Sequence, residues 1–159
     1  MKIRLRSKRL AQLFAEVWRD IPEADRALLA DRARLVVDDP IFLPKANSHQ
    51  ILVWSAVISI GVRKSITILC LSPRNLPHQP DNFVRYVIAH ELAHIVCGHL
   101  ELFSSYPNGI TPTNRQTLFE SEADARANLW GSPVAYFTRP LKPSRSSRIR
   151  VNYRKTRSR

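Results

Sequence analysis

Apolar residues fall at helical spacing near both ends of this chain and at strand spacing between them. Leu10, Leu13, Phe14, Val17 and Trp18 recur every three or four positions, which predicts a helix from Lys8 to Asp20 with Trp18 as a core anchor. Pro22 opens a second helical stretch, Glu23 to about Val37, closed by Asp38-Asp39-Pro40. Ile41–Leu43, Ile51–Ile60 and Ser65–Leu71 read as strands, the last two joined as a hairpin through Gly61-Val62-Arg63-Lys64. Ser72–Pro80 holds three prolines and reads as a loop. Asp81 or Asn82 then caps a helix in which Phe83, Val84, Val87, Ile88, Leu92, Ile95 and Val96 keep apolar spacing until Gly98 stops it. Residues 101–114, with Pro107-Asn108-Gly109 and Pro112, read as a second loop, followed by a helix from about Arg115 to Leu129. This order predicts one α+β domain with N-terminal helices, a small and mainly antiparallel sheet, and two final helices.

Composition and charge refine that picture. A chain of 159 residues with 44% hydrophobic content is large enough to bury one core. The net charge of +12 sits at the ends: residues 1–9 hold five Lys/Arg and residues 139–159 hold nine, neither stretch with an acid. Eleven basic residues then face all 13 acidic ones in 10–138, a body near neutral. The expected organisation is a basic N-terminal extension (1–9), a folded body (10–138) and a basic, disordered tail (139–159) containing Pro140, Pro143 and few core-forming residues. Cationic ends suit non-specific contact with nucleic-acid phosphates, or serve solubility. No helix-turn-helix or zinc-finger spacing supports sequence-specific reading. Cys70 and Cys97 are too few for a disulfide framework and read as small buried hydrophobes. No apolar h-region follows the basic start, and no stretch approaches the roughly 18 apolar residues of a membrane span. A cytoplasmic protein without a membrane partner is expected.

The chemistry concentrates in His90-Glu91-Leu92-Ala93-His94, an HExxH sequence inside the apolar helix. Residues four apart share a helix face about 6 Å apart along the axis, so His90 and His94 can hold one metal ion together. Zinc takes imidazole nitrogen at about 2.0–2.1 Å, and a catalytic site uses three protein ligands plus water. Glu91 is then placed as the general base. Shuffling this composition yields the motif in roughly one chain in two hundred, so its helical context carries much of the weight. Without a metal, two histidines and a glutamate at the centre of an apolar helix would be buried at considerable cost.

A third ligand has few candidates. A metzincin would place Gly three residues after the second His and another His three further on. Those positions are Cys97 and Leu100, and Met1 is the only methionine. Glu120-Ser121-Glu122-Ala123-Asp124 offers more. Glu120 and Asp124 lie at i and i+4 on one helix face, while Glu122 points elsewhere. Glu120 is therefore the expected third ligand, and Asp124 the acceptor for the free N–H of a ligand histidine.

The run from His90 to His99, with the later Glu120-x-Glu122-Ala123-Asp124-x-x-Ala127, resembles the ImmA/IrrE-type metallopeptidases. These are gluzincin-like proteases whose known members act on DNA-binding repressor proteins. The resemblance covers residues 10 to 135 and implies that the 10–138 body is zincin-like and that the substrate is a protein such as a transcriptional repressor. The expected activity is zinc-dependent hydrolysis of a peptide bond, with zinc on His90, His94 and Glu120, Asp124 behind them, and Glu91 moving the proton. The Ser65–Leu71 strand is expected to present an edge for an extended peptide. His99, Tyr106 and Tyr136 are candidates for stabilising an oxyanion. A non-catalytic zinc-binding module and a nucleic-acid-associated protein are the alternative readings.

Overall fold

The computed structural model describes residues 1–39, 53–59, 65–105 and 113–133. Helix predominates in a mixed fold ordered β1 (Lys2–Arg4), α1 (Lys8–Asp20), α2 (Glu23–Arg32), β2 (Ala33–Val37), β3 (Val53–Ser59), β4 (Ser65–Leu71), α3 (Asp81–Cys97), α4 (His99–Ser105) and α5 (Thr113–Leu129). A 3₁₀ turn at Leu76–His78 precedes α3. The Ser7 hydroxyl accepts the Leu10 N–H at 3.3 Å and so starts α1, which buries Leu10, Leu13, Phe14 and Val17 as their spacing predicts. Pro80 occupies the cap of α3, and neither expected side chain caps it. Asp81 instead accepts the Arg9 Nε–H at 2.9 Å.

The sheet runs in the order β1-β2-β4-β3. β1 pairs parallel to β2, β2 parallel to β4, and β3 antiparallel to β4. The β3–β4 ladder runs from Val53 opposite Leu71 to Ser59 opposite Ser65, the pairing expected of the hairpin. The mainly antiparallel sheet is nevertheless a correction, because two of the three pairings are parallel. Its cause is the segment after Arg32. The second helix was expected to continue to Val37, but Ala33–Val37 is a strand with Ala33, Val36 and Val37 buried. Adjacent β-branched valines suit a pleated, covered surface better than a helix. Helices α1 and α2 then form the long crossover that a parallel β1–β2 pair requires.

Two further corrections concern the sheet. β4 is paired on both sides, so Ser65–Leu71 offers no free edge; among the described residues β3 lies outermost on that side. Residues 1–9 are not an appended extension, since they supply β1 and the start of α1. The buried Asp38 carboxylate accepts the backbone N–H groups of Arg6 and Ser7 at 2.8–2.9 Å, fixing that segment against the end of β2. Arg6 also pairs with Asp39 at 2.8 Å, so part of the N-terminal charge is neutralised within the fold. Likewise, residues 99–105 form α4 where a loop was expected from 101, because the first Gly or Pro after Gly98 is Pro107. The expectations for Ile41–Leu43, the Gly61–Lys64 turn, Tyr106, Tyr136 and the 139–159 tail fall outside the described residues. No helix among the described residues is long and apolar enough to cross a membrane.

Helix α3 is covered on several sides, by α1, α2 and α5. It accordingly buries Val84, Ile88, Ala89, Leu92, Ala93, Ile95 and Val96 around much of its circumference. Helix α5 meets it through a spine of Phe119, Ala123 and Ala127, two of the three being small enough for close approach. Trp130, just past α5, is buried and donates its indole N–H to Asp25 of α2 at 2.9 Å. At the other end of α3, Gly98 adopts φ 74°, and Arg32 covers the last carbonyls with bonds to Ile95 O at 3.2 Å and Val96 O at 2.7 Å.

Gly98→Ala should therefore lower unfolding stability by about 1–2 kcal/mol, the cost of a Cβ in the left-handed region. The added Cβ would also lie 3.4 Å from Arg32 Nη1. Urea melts of the two proteins measure this, and equal midpoints would mean that the turn relaxes without strain.

Candidate metal centre

One turn of α3 separates His90 from His94, and their rings meet edge to face with centroids 4.7 Å apart. The two Nε2 atoms face each other at 3.0 Å. Glu120, brought in by α5, places Oε2 at 3.2 Å from His90 Nε2 and Oε1 at 3.7 Å from His94 Nε2. One ligand atom from each of these three residues lies within 4.8 Å of the others, a group that could bind a metal ion. The three residues expected to act as ligands thus come together, although Glu120 is 26 positions beyond His94 in the chain.

Each imidazole is held from behind. His90 Nδ1 lies 2.8 Å from Asp124 Oδ1, the contact expected from the i, i+4 relation of Asp124 to Glu120. Tyr86 adds a partner that the sequence reading missed. Its hydroxyl donates to the same Asp124 oxygen at 2.7 Å, and burial together with that carboxylate pushes the phenol well above its ordinary pKa. The available signal was that Tyr86 stands one turn before His90 on the same face.

His94 is treated differently. Its Nδ1 lies 2.9 Å from Nδ1 of His99, whose Nε2 lies 2.9 Å from Glu122 Oε2. His99 is only 1% exposed and stacks on Phe119 with ring centroids 4.5 Å apart. As a candidate for the oxyanion it is therefore corrected: both its nitrogens are engaged, and it stands on the Nδ1 side of His94, away from the Nε2 that meets His90 and Glu120. Glu122 points away from the Glu120 face, as its position on the helix predicts, and reaches the centre through His99 instead.

Burial also sets the protonation states. His94 is pushed down to about 3 by desolvation first and by the neighbouring His90 and His99 next, which keeps the ring neutral. Burial raises the Glu91 carboxyl above its ordinary value; His90 and a 3.1 Å hydrogen bond from the Ser55 hydroxyl oppose that rise, and Glu120 adds to it. Ser55 comes from β3, a contact that no local pattern in the sequence announces. No protein-family model, curated protein or solved structure matches this chain.

Ser55→Ala removes a bond that favours the charged carboxylate, so the Glu91 titration, followed by NMR of its carboxyl carbon, should move to still higher pH. An unmoved titration would show that the Ser55 contact does not act on Glu91. A second expectation concerns acid. His94 has a folded pKa of about 3 against an ordinary 6.5, so between these values the unfolded chain binds the extra proton and stability falls as pH falls. Glu91, with a raised folded pKa, titrates in the opposite sense. Metal-free Glu91→Gln protein, in which that opposition is gone, should therefore lose stability more steeply below about pH 6.5 than the metal-free parent. Parallel stability curves in denaturant melts from pH 7 to 4 would contradict this.

Proposed function

We propose that this chain is a zinc-dependent metallopeptidase of the ImmA/IrrE type, with a zincin-like body, acting on a peptide bond of a protein substrate. The single observation that carries this reading is the convergence of His90 Nε2, His94 Nε2 and a Glu120 oxygen, each histidine gripped through its other nitrogen. The spacing suits the ion. Tetrahedral zinc with bonds near 2.0–2.1 Å holds neighbouring ligand atoms about 3.3 Å apart. The Nε2–Nε2 separation of 3.0 Å and the shortest Glu120 approaches, Oε2 to His90 at 3.2 Å and Oε1 to His94 at 3.7 Å, lie around that value. Two imidazoles and one carboxylate are also a donor set typical of catalytic zinc, in which three protein ligands leave a coordination position for water. That favours an enzyme over a closed, structural zinc module.

Zinc, when bound, supplies Lewis acidity that lowers the pKa of water towards about 7 and polarises a carbonyl. The chain supplies the remainder. Glu91 follows His90 directly on α3, and its burial makes it a stronger base than an exposed carboxylate. It accepts the proton of the attacking water and delivers it to the departing amine nitrogen. Ser55 holds one Glu91 oxygen in place, and Asp124 with Tyr86 holds the His90 ring. The resemblance offers a DNA-binding repressor as the protein substrate to try first. Contact with nucleic acid through the basic ends belongs to the same proposal, with Lys2 and Arg4 exposed on β1.

Purified protein should carry about one zinc per chain, and Glu120→Ala should lose it. Glu91→Gln should keep the zinc and lose hydrolysis in a screen of repressor-derived peptides, because the amide preserves shape but not basicity. Full zinc occupancy in Glu120→Ala would remove the third ligand from the proposal. Undiminished cleavage by Glu91→Gln would remove the general base.

A further inference from the structure

We infer that His99 and Glu122 form a positioning chain that decides which nitrogen of His94 carries the proton, and thereby whether His94 can bind a metal. The inference rests on the reading of His94 as a ligand. In a neutral imidazole one nitrogen donates and the other accepts. A carboxylate only accepts, so His99 Nε2, 2.9 Å from Glu122 Oε2, carries the hydrogen. His99 Nδ1 is then the acceptor. The Nδ1 of His94, 2.9 Å away, must donate to it, which leaves the lone pair of His94 on Nε2, facing Glu120 and His90. Glu122 thus does for His94 in two steps what Asp124 does for His90 in one.

The packing of α5 explains the extra step. Its Phe119, Ala123 and Ala127 spine faces α3, with Glu120 and Asp124 on one flank. Glu122 lies on the opposite flank, where no direct bond to either ligand histidine is made. The left-handed turn at Gly98 delivers His99 into that gap. Burial at 1% exposure and the Phe119 stack then hold its ring plane. All three acidic residues of α5 therefore bear on the centre, one directly and two through an imidazole.

Reversing the chain at its exposed end gives a test that a structural role alone would not pass. In Glu122→Lys the ammonium donates to His99 Nε2, so the hydrogen moves to His99 Nδ1, His94 Nδ1 becomes the acceptor and His94 Nε2 carries the proton. Zinc affinity of the full chain is measured by competition with a chromophoric chelator, and the ring nitrogens of His99 are read by ¹⁵N NMR in the zinc-loaded protein. Glu122→Lys and His99→Phe should each weaken zinc by about 10–100-fold. Glu122→Gln, whose amide oxygen still accepts, should stay close to the parent. So should Ser121→Lys, which adds a positive charge at the neighbouring exposed position without meeting His99. If His99→Phe fails to fold, the substitutions at Glu122, about half exposed, still decide the matter. Parent-like zinc affinity in Glu122→Lys, or a hydrogen on His99 Nδ1 in the parent, would overturn the chain while leaving the metal centre standing. A parent protein that binds no zinc would overturn both.

Discussion

Ala123 and Ala127, both fully buried, let α5 lie directly against α3, and the candidate ligand set is divided between those two helices. Two imidazoles come from one helix and the carboxylate from the other. An ångström of extra separation would take Glu120 out of reach of both Nε2 atoms, whose present distances to it are 3.2 and 3.7 Å. Much of the fold serves this contact. Leu10, Phe14 and Val17 of α1 and Leu29 of α2 fill the space around α3, and the Trp130–Asp25 bond ties the end of α5 to α2. Larger side chains at 123 or 127 would act on the site through helix spacing, without touching a ligand.

Placing so many polar groups beside a core is stable only if each is satisfied. A buried donor or acceptor left without a partner costs about 1–3 kcal/mol, and more when charged. Among the described residues no buried side-chain nitrogen or oxygen lacks a partner. The histidines, Asp124, Tyr86, Glu122 and Ser55 form two connected sets around the candidate ligand atoms, one behind each imidazole, with Ser55 on Glu91. Desolvation acts in useful directions on both kinds of group. It keeps His94 neutral, the form that can donate a lone pair, and it raises the basicity of Glu91.

What could be read from the chain follows from how local each signal is. His90 and His94 share a helix turn, and Glu120 and Asp124 share another, so periodicity alone placed both pairs on the correct faces. The β3–β4 ladder was equally local. The parallel pairs β1–β2 and β2–β4 join segments some thirty residues apart, and three residues of β1 inside a strongly basic stretch carry no visible alternation. Ala33–Val37 continued the apolar spacing of α2 well enough to hide a strand that only its partners on both sides reveal. His99 was illegible for a related reason. Its role depends on Gly98 turning the chain back towards α5, and spacing along the sequence does not encode that direction.

The position of β4 has a consequence for the base. With β4 enclosed between β2 and β3, the outermost described strand on that side is β3, and β3 carries Ser55. The hydroxyl of an outer strand thus restrains the Glu91 carboxylate on the central helix. The proposed centre therefore separates two requirements in space. The candidate ligands come from the α3–α5 contact, and the candidate base is held from the sheet through Ser55.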